Sequence, residues 1–176
     1  MRESKAKKVE RISAVLRLLQ ETYPEAKPEL DFTTPFELLV ATMLSAQCTD
    51  KQVNKTTAVL FPKYGTPEAF AALTEEELAP YIKGCGLYKT KGKNIIAASK
   101  ILLAEYGGAV PNDRDALMKL PGVGRKTANV VVSNAFGTPA IAVDTHVFRV
   151  ANRIGLADAK DVLHTEEQLM QNIPKE

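Results

Sequence analysis

A chain of 176 residues, 45% hydrophobic and 25% charged with a net charge of +2, has the make-up of an ordinary soluble globular protein of one or two small domains. No apolar run reaches membrane-spanning length and no apolar segment follows the basic N-terminus, so the expectation is a cytoplasmic, nucleoid-associated protein rather than a membrane or exported one. Two cysteines, Cys48 and Cys85, cannot supply a four-thiolate metal or iron–sulfur site, and a reducing compartment argues against a disulfide between them.

Helical periodicity recurs along the chain and strand signals hardly appear. Val9, Ile12, Leu16 and Leu19 space out one face of an N-terminal helix. Thr34-Pro35-Phe36-Glu37 combines a capping box with proline at the first helical position, ahead of an apolar face of Phe36, Leu39, Val40, Met43 and Leu44. That helix ends in Ser45-Ala46-Gln47-Cys48-Thr49-Asp50, with Asp50 expected to cap the next helix. The same segment is also suited to a loop that presents Gln47 to a base edge. Thr66-Pro67 opens a short helix, Thr74 and Glu77 form a second capping box, and Pro80 is expected to break or kink the helix behind it.

Lys83, Lys89, Lys91 and Lys93 form an acid-free cluster around the apolar tip Gly86-Leu87-Tyr88, where an exposed leucine among phosphate-binding lysines would suit a base-step wedge. A long helix follows from about Lys91 through Ile95, Ile96, Ile101 and Leu102 to Gly107-Gly108, and a short one follows Asp113. Val130-Val131-Val132 belongs to a longer helical pattern ending at Gly137, so it reads as helix. Ala140-Ile141-Ala142-Val143 is too short and isolated to build a sheet and reads as a connector. Asp144 is placed to cap a helix carrying Val147, Val150 and Ile154, and Thr165 with Gln168 to cap a final helix that runs into Pro174. The expected fold class is all-α.

Charge is segregated. Lys119, Arg125 and Lys126 bracket a glycine turn, Arg2, Lys5, Lys7, Lys8 and Arg11 load the N-terminus, and acids gather at Glu75-Glu76-Glu77 and Glu166-Glu167. This suits a nucleic-acid-binding face, but solvated helix faces account for it equally well, and charge alone leaves both open.

The glycine turn lies in Leu120-Pro121-Gly122-Val123-Gly124-Arg125-Lys126-Thr127-Ala128. Two glycines between helices specify a hairpin that needs positive φ or close backbone approach, and its free N–H groups suit a phosphate. Lys126 falls in the first turn of the second helix, where the dipole disfavours a cation. Three roles stay open for it: a solvated surface lysine, a phosphate contact, or a nucleophile whose neutral amine forms a Schiff base. Asp144 is first of all an N-cap. An ionised carboxylate there is also suited to stabilising a cationic sugar-like transition state or to proton transfer. His146 and His164 are too far apart to suggest a metal site or a triad.

The stretches Leu120–Val131 and Val143–Val150 resemble, together with Pro35–Leu39, Leu44–Gln47 and Gly86–Tyr88, the endonuclease III family of helix-hairpin-helix base-excision DNA glycosylases. The resemblance runs through essentially the whole chain in order. It implies that Lys126 attacks the sugar C1′ of a flipped, damaged pyrimidine, forms a Schiff base and permits β-elimination 3′ to the lesion, with Asp144 as the catalytic carboxylate. It further implies that Gln47 and Leu87 fill and wedge the duplex, that Gly122, Val123, Gly124 and Arg125 bind DNA, and that the carbonyls of Met118, Leu120 and Val123 hold Na+ or K+. Adenine glycosylase relatives lack a lysine at the position of Lys126, so its presence favours a bifunctional glycosylase and lyase.

The implied architecture is a six-helix barrel domain over 28–138, with 1–27 and 139–176 forming part of a second helical domain. Family members carry four C-terminal cysteines around a [4Fe-4S] cluster. This chain reaches Glu176 without them, and truncation is the expectation rather than a clusterless variant. Catalysis itself calls for no cofactor. The implied partner is damaged double-stranded DNA, with no membrane, and the protein is expected to be a monomer. A non-catalytic helix-hairpin-helix DNA-binding module is the alternative, although binding alone would not need Lys126, Asp144, Gln47 and Leu87 together. A glycosylase for another lesion, such as an oxidised purine or a mismatched base, is a further one.

Overall fold

The computed structural model describes residues 3–175, and the described residues form helices and no strand. In chain order the helices are α1 (Lys5–Thr22), α2 (Pro35–Ser45), α3 (Asp50–Tyr64), α4 (Pro67–Ala71), α5 (Glu75–Ile82), a 3-10 turn (Lys83–Cys85), α6 (Tyr88–Tyr106), α7 (Arg114–Leu117), α8 (Arg125–Phe136), α9 (Thr145–Arg153) and α10 (Val162–Asn172). The all-α expectation holds. No helix among the described residues is long and apolar enough to cross a membrane. The chain divides into two compact units, one of residues 28–138 and one of residues 1–27 with 139–176.

The larger unit is built around α2. Phe36 and every residue from Leu38 to Leu44 are buried, so this helix is apolar all round and has to be enclosed. Helices α3, α6 and α8 pack on it. Complete burial of Leu38, Leu39 and Leu44 contributes about 1.5–3 kcal/mol for each side chain. Thr34 caps α2 by accepting from the Glu37 N–H at 3.1 Å, while the Glu37 carboxylate reaches past Thr34 to the N–H and hydroxyl of Thr33, both at 2.6 Å. Helix α6 crosses the same core through Ile95, Ile96 and Leu102 and ends on Gly107 at φ +60°.

Three local expectations are corrected. Helix α5 continues through Pro80 to Ile82. Proline there forfeits one hydrogen bond, to the carbonyl of exposed Glu76, and burial of Leu78 and Ile82 outweighs it. The cap of α3 is Thr49, which accepts from the Gln52 N–H at 3.3 Å, and Asp50 lies one residue further in, where its carboxylate meets the positive end of the dipole. The cap of α10 is Asp161, which accepts from the His164 N–H at 2.9 Å. Thr165 lies inside the helix, fully buried, and its hydroxyl donates to the Asp161 carbonyl at 2.7 Å.

The smaller unit has its own core of Ile12, Val143, Ala151, Leu156, Ala157 and Leu169. Val9 and Leu19 of α1 are exposed, so the buried stripe of that helix is narrower than its periodicity suggested and centres on Ile12, with Val15 and Leu16 beside it. Residues 140–143 form the expected connector, without regular structure, into α9.

Candidate nucleic-acid interface

The glycine turn joins α7 to α8 and is anchored by the buried side chains of Leu117, Leu120 and Val123, with the Val123 N–H donating to the Leu120 carbonyl at 3.1 Å. Its two glycines serve different ends. Gly122 has φ +77°, and a Cβ there would stand 2.8 Å from the Asn94 side-chain amide, so both backbone and space demand glycine. Gly124 has an ordinary φ of −92° and no heavy atom within 4 Å of an added Cβ. Of the two alternatives, Gly122 takes the positive φ, while Gly124 has ordinary backbone and the open space that a close-approaching ligand would use.

Gly124 is the N-cap of α8. No side chain caps this helix, and no acidic residue stands in its first turn, which is the arrangement that receives an anion at a helix start. Lys126 is exposed in that turn, and its ammonium has no hydrogen-bond or ion-pair partner among the described residues; Arg125 beside it is half-buried. Of the three carbonyls proposed for a cation, that of Leu120 already accepts the Val123 N–H. Those of Met118 and Val123 accept no backbone bond among the described residues.

A pair of substitutions separates the two glycines. Gly122→Ala is expected to destabilise the protein by about 1–3 kcal/mol through left-handed strain, before the Asn94 overlap is added. Gly124→Ala is expected to leave the thermal midpoint unchanged but to weaken duplex binding, measured by fluorescence anisotropy at fixed salt. Equal loss of stability in both variants would contradict this division.

Gln47 and Leu87, far apart in sequence, come together in the larger unit. They are the two non-glycine residues with positive φ among those described, at +53° and +46°. Both are exposed, Leu87 by 58%, and a Cβ on the intervening Gly86 would lie 4.0 Å from the Gln47 carbonyl. Left-handed backbone costs an ordinary residue of order 1–3 kcal/mol, so the surroundings must hold these loops in place.

Lys91 does so, and its position corrects the sequence reading, which placed it in an exposed lysine cluster. It is 6% exposed, and its ammonium donates to the Leu44 carbonyl at 2.8 Å and to the Cys85 carbonyl. The first of these lies in the last turn of α2, ahead of Gln47; the second precedes Gly86 and Leu87. Burial pushes the Lys91 pKa down, partly offset by the nearby Cys48 and Cys85 sulfurs. A signal was available: Lys91, Ile95, Ala98 and Leu102 recur at helical spacing and are all buried. Lys91→Met is expected to orphan both carbonyls at about 1–3 kcal/mol each, a fall of roughly 5–20 °C in thermal midpoint for a chain of this size. A variant that melts with the wild type would refute the clamp.

In the smaller unit Asp144 caps α9. Its Oδ1 accepts from the N–H groups of His146 and Val147 at 2.9 and 2.8 Å. The side chain is exposed, and Oδ2 has no partner among the described residues. The cap and a free carboxylate oxygen thus coexist in one side chain. His146 contacts the Arg149 guanidinium at 3.1 Å, and His164 pairs with Asp161, whose carboxylate raises the histidine pKa. Both are exposed at the surface.

The residues present do not fit a [4Fe-4S] cluster. The chain holds two cysteines where the cluster needs four ligands, and no group of three or more His, Cys, Asp or Glu side chains among the described residues is arranged to hold a metal ion.

Residues 40–175 match the family model described as HhH-GPD superfamily base excision DNA repair protein. The chain is 55% identical to endonuclease III of Bacillus subtilis (strain 168) over 169 residues, covering 96% of this chain and 77% of the relative. It is 52% identical to endonuclease III of Escherichia coli (strain K12) over 173 residues, covering 98% and 80% respectively. The fold superposes on the solved structure of a trapped endonuclease III–DNA covalent intermediate with a TM-score of 0.90 at 53% identity, covering 95% of this chain and 79% of that one.

Proposed function

The chain belongs to the HhH-GPD superfamily of base excision DNA repair proteins, and we propose that it excises oxidised pyrimidines from duplex DNA as a bifunctional glycosylase and abasic-site lyase. The observation that carries this reading is Lys126: an exposed, unpartnered amine at the open start of α8, directly behind a turn suited to phosphate. The likeness to an endonuclease III caught covalently on DNA supports the same chemistry.

Lys126 Nζ, in its neutral form, attacks C1′ of the damaged nucleotide. The N-glycosidic bond breaks, the base leaves with the electron pair and is protonated, and the sugar ring opens to a Schiff base between Nζ and C1′. The iminium acidifies C2′–H. Loss of that proton expels the 3′ phosphate by β-elimination and cuts the strand 3′ to the lesion, and water then releases the enzyme. Asp144, with one oxygen held by the α9 backbone and one unpartnered, stabilises positive charge on the sugar or carries the proton. Gln47 and Leu87 enter the duplex where the nucleotide leaves the stack, supported by the left-handed backbone that projects both. Gly122, Val123, Gly124 and Arg125 contact the DNA backbone, and the carbonyls of Met118, Leu120 and Val123 hold a monovalent cation beside them.

We assign 28–138 to the barrel domain and 1–27 with 139–176 to a partial second domain, in a monomer that acts on cytoplasmic, nucleoid DNA. No cofactor takes part in this chemistry.

The test is incubation with thymine-glycol or abasic duplex in the presence of borohydride. A reduced covalent protein–DNA adduct is expected with both. Salt-dependent binding without an adduct or a preference for damage would instead make the chain a DNA-binding module. A panel of lesion duplexes separates oxidised pyrimidines from other lesions.

A further inference from the structure

We propose that Cys48 and Cys85 form an oxidant-sensitive thiol pair that closes to an intramolecular disulfide and ties the Gln47 loop to the Leu87 turn; the functional consequence rests on the role assigned above to those two residues. The two cysteines stand 37 positions apart in sequence, yet the fold brings them near enough that the Cys85 thiol acts on the Cys48 pKa. Cys48 directly follows Gln47, and Cys85 lies two residues before Leu87. Cys48 is partly exposed and open to a small oxidant, while Cys85 is 1% exposed, with its sulfur 3.4 Å from the Thr56 hydroxyl. The loops already adjoin at Gly86 and the Gln47 carbonyl, and the buried Lys91 ammonium bridges the backbone next to both.

Burial and the Cys85 thiol push the Cys48 pKa up, and the Lys91 charge only partly offsets them. Cys48 is therefore not poised by unusual acidity. Proximity makes it reactive: once Cys48 is oxidised, Cys85 on the adjoining turn is placed to resolve it. A reducing compartment disfavours a permanent bridge and still permits a transient one.

The oxidant is a hydroperoxide. The Cys48 thiolate attacks one peroxide oxygen, and the O–O bond breaks towards the other oxygen. That oxygen takes a proton and leaves as water from hydrogen peroxide, or as an alcohol from an organic hydroperoxide, and Cys48 becomes a sulfenic acid. The Cys85 sulfur attacks the Cys48 sulfur, the S–O bond breaks, and the departing hydroxide takes the Cys85 proton as water. The two thiols lose two electrons, which the peroxide gains, and a dithiol reductant reverses the change. A disulfide needs about 2.0 Å between sulfurs and about 4.4–6.8 Å between Cα atoms. Closure therefore draws the loops together, removes Cys85 from Thr56 and shifts the two residues that must enter the duplex.

The protein is treated with hydrogen peroxide, then assayed natively by intact mass, thiol titration and cleavage of a thymine-glycol duplex. A loss of about 2 Da and of both titratable thiols is expected. Cleavage should slow by about a hundredfold, the scale of a misplacement near 1 Å, and recover fully with dithiothreitol. Cys48→Ala should keep the reduced rate and lose sensitivity to peroxide. Two free thiols after treatment, a mass gain from sulfenic or sulfinic acid alone, disulfide-linked dimers, an unchanged rate in the bridged protein, or equal inhibition of Cys48→Ala would each overturn the proposal. A bridge that forms in a protein inactive even when reduced would support the thiol pair and refute the glycosylase reading.

Discussion

Replacing Lys126 with alanine is expected to abolish the borohydride-trapped adduct and to lower strand cleavage on the order of a thousandfold or more, the scale on which removal of a covalent nucleophile acts. The fold should not suffer. The side chain is exposed and has no partner among the described residues, and alanine is the better helix former. Removing a cation from the first turn of α8 also relieves an unfavourable interaction with the helix dipole. The thermal midpoint is therefore expected to stay or rise while activity disappears, which is the trade-off of a residue kept for function. The checks are the adduct on a denaturing gel, the melting curve and duplex affinity measured side by side. An adduct undiminished in Lys126→Ala would end the assignment, whereas loss of the adduct together with loss of folding would leave α8 in a structural role.

The second large effect is expected at Asp144, where two substitutions separate its two roles. Asparagine caps a helix as well as aspartate does, so Asp144→Asn should keep the bonds from His146 and Val147 and melt with the wild type. It removes the negative charge, and single-turnover excision should fall by about 10²–10⁴-fold, the usual worth of a positioned acid or base. Asp144→Ala removes cap and charge together and should add a stability loss of about 0.5–2 kcal/mol to a similar rate loss. If Asp144→Asn excises the base at the wild-type rate, the residue is a cap and nothing more.

The site was legible to different depths at different residues. Lys126 in the first turn of a helix opening from a glycine turn could be placed from the chain, because that turn and the apolar run behind it are neighbours in sequence. Asp144 as the cap of α9 could be placed for the same reason. The two glycines could be found, but not told apart. Their difference lies in Asn94, whose side chain from α6 crowds Gly122 and leaves Gly124 open. At Asp50 and Thr165 the local signal pointed to the wrong cap, since Thr49 and Asp161 nearby offer side chains equally able to accept an N–H, and packing chose between them.

Sequence by itself determined the helical class, the capped starts of α2, α5 and α9, and the hairpin that presents Lys126. These depend on contacts within four residues, and such contacts repeat with the helical period or sit at fixed offsets from a cap. Only the tertiary structure decided that Lys91 is a buried clamp rather than a surface cation, that Gln47 and Leu87 stand on left-handed backbone in adjoining turns, and that Cys48 and Cys85 flank those turns. The reason is spatial. α2 and the 3-10 turn converge on one end of α6, and the charge there meets the Cys85 carbonyl six positions away and the Leu44 carbonyl forty-seven positions away, the second of which no local period records.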